Sequence, residues 1–426
     1  MKRLVLLVLI VVSLGWAVRW ALRPPPPQAP PPELMTLLEG YREPLDPEAL
    51  ARFREFGPAA VDFLASQLEQ NNTVLQHWHF VAYPKLPAWA QARLGKPQDI
   101  PTARRRSLLV LSQLGPRFSS SERSLTALTR ALAYPDAELQ ERSSQILADL
   151  GDFSAPAVTA LNEVIRRSLV YPQGDSLSEA LLALGQIGAP ARRSLPALAG
   201  VLNQGSELER VYAARAILRI GGDPLPAVRI LNESLVNSTN ARVRAVAAGA
   251  LSLGGDLAAS ALPFVSPAMD DPDAGVRLAA ATTVLRFQPE NPTAQATLAK
   301  LAKSSQPREA LAAVVALANS EPNSAAAREQ LKEWAQSHSD PEIRVRAACS
   351  LGIRDSEAEL TVPVLLESLQ QSRWPLNFVV LRTLSQAELR DTQTLAALRA
   401  GLTQAHPDLR WVAIESVRRI HLGVAE

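Results

Sequence analysis

Asn240–Gly254 reads NARVRAVAAGALSLG, and the fold follows from what this stretch is and how often it returns. Asn240 suits a helix N-cap, its side-chain oxygen taking a backbone N–H that would otherwise lack a partner. Val243, Val246, Ala247, Ala250 and Leu251 follow at three- and four-residue spacing, which is one apolar face of an α-helix. Gly254 and Gly255 supply the left-handed residue that commonly ends a helix. A helix this short is marginal alone in water, so it requires neighbours.

The chain provides them. With Arg244 as an index position, the pattern index-x-x-small-apolar-x-x-apolar returns at Arg104, Gln140, Leu177, Arg210, Arg244, Arg277, Glu309, Arg344, Asn377 and Arg410, at spacings of 36, 37, 33, 34, 33, 32, 35, 33 and 33 residues. A period near 34 residues signals a solenoid of stacked repeats. Four residues before the index stands a cap residue in six copies: Asp136, Ser206, Asn240, Asp273, Ser305 and Asp340. Pro101, Pro341 and Pro407 take the first helical position, where a missing N–H costs nothing. Paired small residues such as Ala213-Ala214, Ala247-Ala248 and Ala347-Ala348 let a neighbouring helix approach closely.

At these residues the chain resembles HEAT repeats, in particular the short bacterial kind grouped with the phycobilisome-lyase HEAT-like repeats. The second helix of that repeat often reads D-P-x-V-R-x-x-A-A-x-x-L. DPEIRVRAACSL at 340–351 matches it closely and DAGVRLAAATTV at 273–284 nearly so. The resemblance covers roughly residues 102–420 and implies an all-α fold, an α-solenoid superhelix of about ten to eleven helix pairs. First helices are expected near 121–133, 155–169, 190–203, 223–236, 257–269, 292–304, 323–337, 358–371 and 391–404. The resemblance also implies that Arg104, Arg210, Arg244, Arg277 and Arg344, with Asp273 and Asp340, form a structural polar ladder between turns. Gln140, Leu177, Glu309 and Asn377 would interrupt it. The bilin-lyase relatives of this repeat attach a chromophore to partner proteins, but a shared repeat does not carry an activity with it.

The N-terminus differs from the array. Leu4–Val18 is uncharged and the apolar run resumes after Arg19, so residues 1–23 are expected to form a single hydrophobic helix. Nineteen helical residues would reach about 29 Å, close to the hydrocarbon thickness of a bilayer. The expected location is therefore a membrane, anchored through residues 4–22 with the bulk of the chain on the periplasmic side. The alternative is a cleaved signal segment releasing a periplasmic or secreted protein. Residues 24–32 hold seven prolines in nine positions and are expected to be a stiff polyproline linker. Residues 33–101 read as an N-terminal capping region carrying an irregular insertion, 71–101, and residues 102–426 as the solenoid.

Function is less legible. Lys+Arg total 44 against Asp+Glu 42, a formal net charge of +2, which disfavours a dedicated nucleic-acid binder. No G-x-S-x-G, Walker loop, HExxH or CxxC is present. No catalytic, cofactor or metal site is assigned: His77-x-His79 lacks a third ligand, and no cofactor is expected. Aromatic and arginine residues are favoured at interface hot spots. The candidate partner-binding residues are Trp78, Tyr83 and Trp89 in the insertion, and Trp374, Arg410 and Trp411 near the C-terminus. Packing within the first repeat, or between the last ones, is the competing role for each set. The expected function is a non-catalytic, membrane-tethered scaffold that binds partner proteins. The alternatives are a bilin-lyase-like enzyme or subunit, and a weak binder of nucleic acid or anionic polymer along the arginine edge.

Overall fold

A computed structural model describes residues 31–40, 47–70, 82–85, 87, 91, 99–114, 121–134, 136–170, 176–320, 324–352, 358–370, 379–380 and 383. The chain divides into two compact units, Met1–Gly40 and Tyr41–Glu426. In the first, the described element is the helix Pro32–Glu39. Pro32, assigned to the linker by sequence, is thus the first residue of a helix, where its lost N–H has no partner to forfeit.

The second unit is built of helix pairs, and no strand occurs among the described residues. Pro58–Glu69 pairs with Ile100–Leu114, Glu122–Ala131 with Ala137–Leu150, Val158–Val170 with Ser176–Ile187, Leu195–Gln204 with Glu207–Ile220, and Pro224–Asn237 with Ala241–Leu251. Then come Ala274–Phe287, Pro292–Leu301 with Pro307–Ala318, Ser324–Ser337 with Pro341–Leu351, and Ala358–Gln370. From Ala137 to Leu351 each second helix packs on the second helix of the next pair. That stacking is what an α-solenoid requires.

Small residues make it close. A Cβ added at Gly185 would meet Ala216 Cα at 3.4 Å. Ala213, Ala214, Ala247, Ala248, Ala280, Ala281, Ala347 and Ala348 are fully buried, so each second helix hides flanks on both sides. Thr283 adds a specific tie, its buried hydroxyl donating to the Ala248 carbonyl of the preceding second helix at 2.8 Å.

Capping follows the sequence at most sites. The side chains of Asp136, Asn240, Asp273 and Asp340 accept backbone N–H groups of the first helical turn. At Ser206 the Glu209 carboxylate reaches back to the Ser206 N–H at 2.7 Å. Ser305 is the exception: the N-cap there is Gln306, and its N–H is bound by the Ser304 hydroxyl at 3.2 Å.

Two expectations are corrected. The helix expected over 257–269 is broken into Asp256–Ala259, Leu262–Val265 and a 3-10 turn, Ser266–Asp270. Pro263 and Pro267 lack the N–H groups a continuous helix would use. The membrane-anchored location also does not stand. Among the described residues no helix is long and apolar enough to cross a membrane. The longest, Ile100–Leu114, has 15 residues, about 22 Å against a hydrocarbon core of about 30 Å. The hydrophobic helix and anchor expected at residues 1–23 lie outside the described residues.

Candidate functional site

The index side chains do one recurring thing. Among the described residues, every polar one at this position turns back onto the chain that ends the first helix of its own pair. Gln140 Nε2 donates to the carbonyls of Leu132 and Tyr134, at 3.2 and 2.8 Å. Arg210 donates to Leu202 O at 3.0 Å, Arg244 to Ser238 O at 3.1 Å, and Arg277 to Asp271 O and Pro272 O at 2.8 and 2.9 Å. Arg344 donates to His338 O at 2.6 Å. Glu309 reverses the polarity and accepts from the Ser304 hydroxyl at 2.9 Å. Arg104 donates to Gln70 O, although 34 residues separate them, and its guanidinium stacks 4.1 Å from the centre of the Tyr134 ring. Leu177 occupies the position as a buried apolar residue.

Among these contacts, Arg244 also reaches the next repeat. Its Nε and Nη2 bind both Asp271 oxygens at 2.8 and 2.9 Å, with the two side chains 15% and 11% exposed. The Arg244 hydrogen bond, with the Asp273 N–H and the charge of Arg277, holds the Asp271 carboxyl below its usual range despite its burial. Asp273 and Asp340 serve as backbone caps, accepting the N–H groups of Val276 and Glu342.

These arginines are therefore turned into the scaffold. A different set faces outward. Across the second helices lies a groove of about 860 Å³, and a smaller one of about 390 Å³ meets it at Ser252. Together they touch the ends or faces of Glu207–Ile220, Ala241–Leu251, Ala274–Phe287, Pro307–Ala318 and Pro341–Leu351. Leu278, Leu285, Leu311 and Val315 give the larger groove an apolar lining, and Arg286, Arg308 and Arg346 stand among them. Arg215 and Arg219 line the smaller one beside Ala245, Val246 and Gly249.

The arginines fall one residue before the index and two, five and nine after it, a spacing that repeats on one helix face. The same face earlier in the array carries acid. Asp149 stands nine after Gln140 and Glu179 two after Leu177. Burial pushes the Asp149 carboxyl up to about 6, against a hydrogen bond from Gln145 and with added repulsion from Glu179.

The groove arginines are only partly neutralised. Arg308 and Arg346 share one carboxylate, Glu342, at 2.9 and 2.8 Å. Burial pushes Glu342 up, but the two guanidiniums outweigh it and hold its carboxyl below the usual range. Arg219 donates to the Gln186 side chain at 2.7 Å. Among the described residues neither stretch is lined by an aspartate or a glutamate. Cys349 also lines the larger groove. Burial pushes its thiol up to about 11, against a hydrogen bond with Thr383 and the charge of Arg346, so it is protonated at neutral pH and a poor nucleophile.

Of the partner-binding residues expected from sequence, Tyr83 is described. It opens a 3-10 turn, Tyr83–Lys85, and exchanges hydrogen bonds with Gln91 at 3.3 and 3.1 Å. Trp78, Trp89, Trp374, Arg410 and Trp411 lie outside the described residues. Trp334 packs against a buried cluster that includes Leu331 and Ile343, edge-on to His338 at 5.7 Å.

Comparison with known proteins bears on the fold. No curated protein matches the chain. The structure of the complex of CpcE and CpcF of phycocyanin lyase from Nostoc sp. PCC7120 is similar at 20% identity and a TM-score of 0.36, covering 65% of this chain and 96% of that one. YibA of E. coli is similar at 14% identity and a TM-score of 0.25, covering 75% of this chain and all of that one, 100%. At these values neither likeness bears on activity. The HEAT-repeat family model matches residues 228–318 and 328–418, so these two segments, which hold the larger groove, are HEAT repeats.

Proposed function

We propose that this protein is a scaffold that holds a partner protein against the groove across its second helices. HEAT repeats are a protein-binding architecture. The observation that carries the reading is the groove itself: a floor of Leu278, Leu285, Leu311 and Val315 that spans the two successive second helices Ala274–Phe287 and Pro307–Ala318. Such a surface suits a segment laid across repeats, as in other helical arrays with extended binding faces. We assign it no chemistry of its own. Among the described lining residues the one thiol is held protonated and no histidine stands beside it.

The test uses the full chain in its host cell. A photo-crosslinking amino acid is placed at Thr282 or Asn319 in the groove, or at the exposed Val236 on a first helix, and adducts are identified by mass spectrometry. A specific protein adduct from the two groove positions, absent from Val236, is the expected result. Adducts confined to Val236, or no protein adduct anywhere, would overturn the reading.

A further inference from the structure

We propose that the groove selects an acidic amphipathic segment: apolar side chains enter the lining between Leu278 and Val315, and carboxylates meet Arg286 and Arg346. The proposal rests on the scaffold reading and deepens it by naming the chemistry of the partner.

Charge carries the argument. The whole chain is nearly neutral, at +2, yet the two joined grooves are lined by Arg215, Arg219, Arg286, Arg308 and Arg346 with no carboxylate among the described lining residues. The local excess is therefore a property of this face, not of the composition. It is also unspent. Two guanidiniums share the single carboxylate of Glu342, and Arg286, which is exposed, makes no ion pair among the described residues. Arginine presents a planar fork that matches a carboxylate in two parallel hydrogen bonds, so an unpaired one beside an apolar lining is a specific acceptor of such a group.

The lining also argues against the other anionic partner. A nucleic-acid strand is held by phosphate contacts together with aromatic side chains on which its bases stack. Neither groove stretch is lined by an aromatic residue among those described, and the apolar residues of the larger are leucine, valine and alanine. Aliphatic side chains fill such a surface better than bases do.

The test is fluorescence anisotropy on the full chain with four labelled probes of about equal length. These are a helical peptide with a leucine face and a glutamate face, its glutamate-to-lysine counterpart, its leucine-to-serine counterpart, and an oligothymidylate. The glutamate–leucine peptide is expected to bind at least about tenfold more tightly than the other three. Its affinity should fall about tenfold in Arg286→Glu and in Arg215→Glu, with the melting temperature unchanged. Raising salt should weaken it, since exposed charges are screened. Equal binding of the glutamate and lysine peptides, tighter binding of oligothymidylate, or indifference to both substitutions would each overturn the proposal. The scaffold reading is judged separately: groove crosslinks to a protein, combined with no preference in this panel, would leave the scaffold standing and remove its acidic selectivity.

Discussion

A cation in the first turn of a helix opposes the positive end of the helix dipole by a few tenths of a kcal/mol, and the five index arginines among the described residues sit near that place. Their hydrogen bonds to loop carbonyls explain how the position is tolerated: each guanidinium finds acceptors that the first helix leaves unused at its C-terminus. Arg244 differs because Asp271 of the next repeat completes its shell. Removing one partner of a largely desolvated pair strands the other. Arg244→Ala should therefore cost about 2–3 kcal/mol in chemical denaturation, against about 1 kcal/mol for Arg344→Ala, which loses only carbonyl contacts. Because the Asp271 carboxyl is lowered, its contribution is present above its unfolded value of 3.8 and is lost as pH falls through the folded one. The gap between wild type and Arg244→Ala should narrow in acid. Asp149 has the opposite sign. Its carboxyl is raised from 3.8 to about 6, so the stabilising protonated form is present below about 4 and lost as pH rises through about 6. Asp149→Asn should raise stability at pH 7 by on the order of 2 kcal/mol and leave it nearly unchanged at pH 4, readable from melting curves at the two values.

At the scale of the helix, caps and breakers were legible because they act locally. Asp273 accepts the Val276 N–H at 3.0 Å, and Asp273→Ala should cost about 1 kcal/mol. Gly221 ends its helix at φ 80°, and Gly221→Ala should cost a similar amount, about 1 kcal/mol, since an L side chain is strained there. What failed was continuity. The 257–269 segment has an apolar pattern that satisfies a helical period, but Pro263 and Pro267 cut its hydrogen bonding, and periodicity does not register a missing N–H. The groove was missed for a different reason. Recurrence finds what every copy must do, and it found the index residues. Five residues after the index stand Arg215, Gly249, Thr282, the buried Val314 and Cys349 in successive copies, and a search for sameness passes over places that differ. The readable signal would have been that variation itself, placed two, five and nine residues after the index.

For the whole molecule, stability is a sum over neighbours, because each repeat touches only those beside it. Thr283→Val removes a hydrogen bond between two consecutive second helices. It should raise amide exchange in Ala241–Leu251 and Ala274–Phe287 while leaving Glu122–Ala131 and Ala137–Leu150 unchanged in hydrogen-exchange mass spectrometry. A uniform rise along the chain would mean that the array unfolds as one cooperative unit.

One contact made far across the sequence has a consequence for how the chain was assembled. Arg104 reaches the Gln70 carbonyl just as Arg210 reaches Leu202, though the first interval is 34 residues and the second 8. Gln70 and Arg104, which flank residues 71–98, are thus brought together by the same contact that closes an ordinary turn. For a flexible loop with its ends already held, each doubling of length costs only about 0.6 kcal/mol. With Arg104 holding the Gln70 carbonyl, extra chain between Gln70 and Asp99 adds little to the entropic cost of closing the helix pair Pro58–Glu69 and Ile100–Leu114.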